Sequence, residues 1–135
     1  MSPRKDLFKI EINDKAYLLV FHKYLDIGFG SAVSLYINNF EFLKFDCFGK
    51  DKGHYHIFHG NKCETIYFTE ETCEEQITKS AYELTSNINF YLKKSKHVNI
   101  QNFKFDIDND KLVEHIENMK IKMIEYENRF YSKLR

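Results

Sequence analysis

The stretch "FEFLKFDCFGKDKGHYHIF", residues 40 to 58, decides the fold. Apolar and polar side chains alternate on both sides of a loop bounded by Gly49 and Gly53, the pattern of two antiparallel strands with one face buried. A five-residue hairpin loop over residues 49 to 53 pairs Phe48 with His54 and Asp46 with His56. One face then carries Phe42, Lys44, Asp46, Phe48, His54, His56 and Phe58, and the other Leu43, Phe45, Cys47, Tyr55 and Ile57. The second set is the more apolar and belongs against the rest of the core, with Cys47 as a small buried hydrophobe. A register slip of one residue would exchange the faces.

Outward from this hairpin, the upstream chain reads as more strands. "LFKIEI" and "AYLLVF" flank the turn-prone "NDK". "YLDIGFG" interrupts the pattern with two glycines and reads as a loop. Its Gly-x-Gly is not followed by a helix start, so no backbone amides are aimed at a phosphate. "SAVSLYI" alternates, with Val33, Leu35 and Ile37 on one side, and Asn38-Asn39 suits the positive φ of a tight hairpin turn. "ETIYF" (64 to 68) closes the series. Six strand candidates joined by loops too short for helical crossovers predict an antiparallel meander.

After residue 70 the period changes. Thr72 and Glu75 form a T-x-x-E capping box, and Ile77, Ala81, Leu84, Ile88 and Tyr91 recur at helical spacing up to the basic "KKSKH" (93 to 97). "VNIQNFKF" reads as extended, a candidate last strand. A second helix begins near Asp108 or Asn109, with a stripe of Leu112, Ile116, Met119, Met123, Tyr126, Phe130 and Leu134, widened by Ile121, Ile124 and Tyr131. Asp106, Asp108, Asp110 and Glu117 have the spacing of calcium-loop ligands, but Lys111 stands where that loop needs glycine; they read as acids at a helix start. The expected architecture is one α+β domain over 1–135: an antiparallel sheet of five to six strands covered on one face by two C-terminal helices.

Composition narrows the function. The 135 residues carry 20 basic and 20 acidic side chains, so the electrostatic footprint that dominates nucleic-acid affinity is absent from the net charge. The longest apolar run, Ala16 to Phe21, is far shorter than a membrane span. Three cysteines without a CxxC pair, and no apolar leader after "MSPRKD", point to free thiols in a cytoplasmic protein. Seventeen lysines against three arginines, with abundant Asn, Ile, Phe and Tyr, suggest an A/T-rich bacterial or phage genome.

The chemistry concentrates in Asp46, His54 and His56. Two imidazoles and a carboxylate on one face can bind a divalent metal, with His59 and Cys63 as further donors, although the spacing matches no structural zinc motif. Asp46 orienting His56 as general base, with His54 as acid, suits phosphodiester cleavage of a toxin-like nuclease. Alternatively, His54, His56, Phe42, Phe48 and Phe58 form a contact surface, or a plain Asp–His pair sits on a partly wet sheet face. Tyr126, Phe130 and Tyr131 are further contact candidates, for a partner or a homodimer through the last helix.

The motif "LKFDCFGKDKGHYHIF" resembles the "FDCF…HYH" core of a small bacterial family, which implies a strand-rich first half followed by two helices. "GKDKGHYH" is similar to the Gly-Lys-Gly-x-His-x-His turn of TumE-type toxins, with Asp51-Lys52 inserted; carried over, that likeness marks Asp46, His54 and His56. On balance the sequence favours a cofactor-free, metal-free binding protein that acts on a protein partner. Inhibitors of bacterial nucleases of the anti-CRISPR kind share this profile, and nucleic acid would enter only indirectly. The alternative is the histidine-dependent enzyme.

Overall fold

The computed structural model describes residues 3–100 and 103–135. Six strands, β1 (Lys5–Glu11), β2 (Ala16–Leu25), β3 (Gly28–Ile37), β4 (Phe40–Cys47), β5 (His54–Phe58) and β6 (Cys63–Tyr67), form one antiparallel sheet in sequence order. Helices α1 (Cys73–Ser86), α2 (Ile88–Lys94) and α3 (Asn109–Tyr126) follow. Among the described residues, no helix is long and apolar enough to cross a membrane.

The turns have local causes. β3 and β4 join through Asn38 and Asn39, both at positive φ (50° and 63°), which matches the sheet's right-handed twist. The predicted loop at "YLDIGFG" is instead mostly strand: β2 runs to Leu25, and only Asp26 and Ile27 bridge to Gly28. The glycines are there for close approach. A Cβ on Gly28 would lie 2.7 Å from the Phe48 ring, and one on Gly30 would lie 2.6 Å from the Cys47 carbonyl oxygen.

One face of the sheet is the core. Val33 lies between Val20 and Phe45, and Leu35 between Leu18 and Leu43; with Cys47, Tyr55 and Ile57 they meet Ile77, Leu84, Ile116, Met119 and Met123 of α1 and α3. The face assignment of the opening hairpin therefore holds, with one exception. Leu35 pairs with Leu43 but Tyr36 pairs with Glu41, so Phe42 is the extra residue of a β-bulge and turns into the core.

The hairpin register differs from the expected one by two residues: Asp46 pairs with His54 and Lys44 with His56. The loop is longer because Gly49 accepts from both Lys52 N and Gly53 N, which takes Phe48 out of the ladder. A slip of two preserves the faces, so the polar set stays together.

The helical half also differs. Thr72 and Glu75 do form the reciprocal capping box, but the first helix breaks at Asn87 into α1 and α2. Of the candidate strand "VNIQNFKF", residues 98–100 form a turn and residues 103–106 are irregular, while Gln101 and Asn102 lie outside the described residues. Asp108 is the N-cap of α3 without a side-chain cap bond.

The end of the chain turns inward. A π-helical turn (Glu127–Tyr131) follows α3 and rotates its ring-bearing face onto His22 of β2. The His22 ring stacks on Phe130 at 4.2 Å and meets Tyr126 and Tyr131 edge-on. His22 Nδ1 lies 2.6 Å from the Tyr131 hydroxyl and Nε2 2.5 Å from Asp6 Oδ2. Tyr126, Phe130 and Tyr131 thus surround a buried imidazole that needs polar partners. Tyr126 and Tyr131, expected in an outward contact, are buried here, and Phe130 is half-buried. Arg135 completes this end: its guanidinium donates to Glu127 and to the carbonyls of Phe29 and Phe48.

Candidate functional site

The face opposite the helices carries a charged cluster. Across it runs the register row Phe21, Ala32, Asp46, His54 and Tyr67, followed by the row Leu19, Ser34, Lys44, His56 and Thr65. Asp46 is 1% exposed, Lys23 of β2 6%. Lys23 reaches Asp46 over the intervening strand because its neighbours there, Gly30 and Ala32, are small. Its Nζ lies 2.9 Å from Asp46 Oδ1. Oδ1 has no directed hydrogen bond, so the two are joined by charge at short range and not by an aligned donor.

The other carboxylate oxygen faces both imidazoles: Asp46 Oδ2 is 3.3 Å from His54 Nε2 and 3.8 Å from His56 Nε2. His54 Nδ1 lies 2.8 Å from the Lys52 carbonyl, which can only accept, so that nitrogen carries a proton. Nε2 faces a carboxylate and is held there attractively only if it carries one too. Both ring nitrogens of His54 thus face acceptors, an arrangement that favours the doubly protonated ring. The hydrogen bond to Asp46 raises the His54 pKa above the usual histidine value, against the opposing effect of burial.

His56 goes the other way. Burial first, then the charges of Lys44 and His54, lower its pKa to about 4, so it is neutral at physiological pH. Its Nδ1 lies 3.0 Å from Thr65 Oγ1 and 3.2 Å from Cys63 Sγ. For Asp46, burial pulls the pKa up, but the His54 hydrogen bond and the charges of Lys23 and Lys44 outweigh it and hold the carboxyl at about 2. The cluster thus sets an imidazole whose protonation is favoured against one that is neutral, edge to face with ring centroids 4.8 Å apart.

Loop 48–53 is fixed from below by Gln76 of α1. This fully buried side chain accepts from Gly49 N and donates to the carbonyls of Gly49 and Glu70, each at 2.9 Å. It packs so close to Gly53 that a Cβ there would lie 1.9 Å from its Oε1. His54 follows Gly53 directly, so the clamp sets where β5 and the His54 side chain begin.

The structure brings together Asp46, His54 and His56 as expected, with Phe58 half-buried against His56. It corrects Phe42 and Phe48, expected in an exposed contact surface: the bulge buries Phe42, and Phe48 is enclosed by His54, Lys23 and Gly28. Tyr126 and Tyr131 are likewise buried. Lys23 and Gln76 were not singled out by sequence. Lys23 could have been, as a lysine in an apolar strand at the parity of Phe21 and opposite Gly30; Gln76 lies inside an ordinary helical stripe and gives no such signal.

A divalent ion would find its donors close at hand, since ligand atoms of Asp46, His54 and His56 all lie within 4.8 Å of one another. The charges fit it poorly: Lys23 already neutralises the carboxylate, and Lys44 and the His54 imidazolium repel a cation. The same charges attract an anion. No family model, curated protein or solved structure matches the chain, so function is argued from this site.

Proposed function

We propose that the open sheet face is a general acid–base site that cleaves phosphodiester bonds in RNA without a metal ion. The observation that carries this reading is the shared carboxylate: one buried Asp46 set against two imidazoles, of which it holds one protonated while the other stays neutral. Lys44 and His54 supply positive charge where a phosphate would sit.

RNA is the substrate because it brings its own nucleophile, the ribose 2′-hydroxyl. A ribose hydroxyl loses its proton only as the new bond forms. The 2′-oxygen bonds to phosphorus as its proton passes to His56. The bond from phosphorus to the 5′-oxygen breaks, and His54 gives that oxygen the Nε2 proton that otherwise faces Asp46. The products are a 2′,3′-cyclic phosphate and a 5′-hydroxyl, and exchange with water returns both rings to their starting states.

The test is incubation with end-labelled single-stranded RNA and its deoxy counterpart, with and without EDTA. RNA should be cut to the cyclic product, DNA left intact, and EDTA without effect; His54→Ala and His56→Ala should each abolish cutting. Loss of activity in EDTA would replace the acid–base reading with a metal-dependent one. Undiminished cutting by both variants, or none by the wild type, would overturn it.

A further inference from the structure

Two aromatic rings lie beside the imidazoles. Tyr67, on the edge strand β6, is the direct cross-strand partner of His54 and is 63% exposed. Its ring lies 5.5 Å from that of His54 and is tilted against it. Phe58 lies at the other end of the pair, stacked on His56 at 5.6 Å and 23°, with the Lys44 ammonium 5.8 Å from its centroid. His54 and Phe58 are four positions apart on β5, about 13 Å at the rise of a strand. The rings therefore bracket the two imidazoles along one sheet face.

We propose that Tyr67 and Phe58 are stacking platforms for the two nucleosides that flank the bound phosphate, so that the site takes single-stranded RNA. This rests on the acid–base reading and adds the path of the strand. A base has an apolar face that any aromatic ring can meet, which makes such platforms tolerant of sequence. Single-stranded RNA can present unstacked bases to a sheet surface, whereas paired bases are already stacked. The positive charge between the rings, on Lys44 and His54, complements a phosphate and would leave the apolar core of a protein partner poorly matched. Both rings act by positioning; neither touches the reacting atoms.

The probe is a fluorescein-labelled 2′-O-methyl hexauridylate, which cannot be cleaved, with anisotropy as the readout at fixed salt. Tyr67→Ala should raise its Kd on the order of 10-fold, in the range of one lost base–aromatic stack, and Tyr67→Phe should restore it. Phe58→Leu, which keeps apolar volume against His56, should also weaken binding. A chemical denaturation curve for each variant confirms folding; Tyr67 is exposed enough that its removal should leave the midpoint unchanged. Unchanged affinity in Tyr67→Ala, equal weakness of Tyr67→Phe, or no binding by the wild type would overturn the platforms. The two proposals fail separately. Tyr67-dependent binding without RNA cleavage would sink the acid–base reading alone, and cleavage with an unaltered KM in Tyr67→Ala would sink the platforms alone.

Discussion

Replacing Asp46 by Asn removes one charge from the centre of the open face and leaves its shape intact. Two cationic groups then lose their partner: the Lys23 ammonium, almost fully buried, and the His54 imidazolium. The carboxyl pKa falls from 3.8 to about 2 in the folded protein, which corresponds to about 2 kcal/mol of stabilisation tied to the ionised form. Stranding a buried lysine costs more, roughly 3–5 kcal/mol where one partner of a buried pair is removed. The asparagine oxygen keeps a dipole facing the Lys23 ammonium, so the lower end, about 3 kcal/mol, is the expected loss at pH 7. For a chain of this length that is a fall in Tm on the order of 10 °C.

The pH dependence has a definite sign. A depressed carboxyl contributes stability above its unfolded value of 3.8 and loses it as pH falls through about 2, so wild type and Asp46→Asn should converge in strong acid. The raised pKa of His54 works the other way: its contribution is complete below the unfolded value and fades as pH rises through the folded one. Guanidinium denaturation at several pH values measures the first effect, and NMR titration of the His54 ring the second. In Asp46→Asn that titration should move down to, or below, the usual histidine value. A denaturation midpoint unchanged to within ~0.5 kcal/mol, the usual scatter of a harmless surface substitution, would refute the claim that this carboxylate anchors the face.

Cleavage should follow a bell-shaped pH profile, since His56 must be neutral and His54 protonated: activity rises through about 4 and falls above the usual histidine value. Initial rates between pH 3 and 9 check this, and a single rising limb through neutrality would contradict the assignment of acid and base. Gln76→Ala leaves the buried Gly49 amide without its acceptor and should cost about 1–3 kcal/mol by denaturation. The same change should speed hydrogen exchange in residues 49–53 ahead of the rest of the sheet. His22→Phe keeps the ring stack on Phe130 but leaves the Tyr131 hydroxyl without its partner, for an expected loss of about 1–3 kcal/mol.

The face of each hairpin strand was legible from alternation alone, because a period of two survives every error except a slip by one. The β4–β5 register did slip, by two, and Asp46 still faced the imidazoles. Phe42 escaped the same logic because a bulge adds one residue and inverts parity at that point only. Nothing in "NFEFLKF" announces it. The capping box fixed where the first helix starts, since Thr72 and Glu75 act locally. Its break at Asn87 and the π-helical turn at Glu127–Tyr131 depend on contacts with distant elements, His22 among them, and have no local signature. The candidate acid and base were visible as a dipeptide repeat. What sets their charges was not: Lys23 is 23 residues before Asp46 and reaches it across a strand whose small side chains matter only once the sheet is built.

A folding role and a chemical role for this cluster predict opposite results from one variant. Buried ion networks are costly to desolvate, and apolar side chains of similar volume commonly replace them at no loss, or with a gain of about 1–4 kcal/mol. Beside Lys44 and His56, the residues Lys23, Asp46 and His54 lie against Phe21, Phe48, Ala32 and Tyr67, contacts that Met, Leu and Phe at the three positions would keep. If the cluster is kept for chemistry, Lys23→Met, Asp46→Leu and His54→Phe together should match or exceed the wild type in stability and cut no RNA. Asp46→Leu alone should be severely destabilised, because it buries the Lys23 charge against hydrocarbon. Adding Lys23→Met alone and the Lys23→Met/Asp46→Leu pair completes a cycle in which the partners' mutual dependence is read directly. Should the triple variant prove less stable than the wild type by more than ~2 kcal/mol, the network is what holds this side of the sheet together. The arrangement of acid and base would then follow from folding alone.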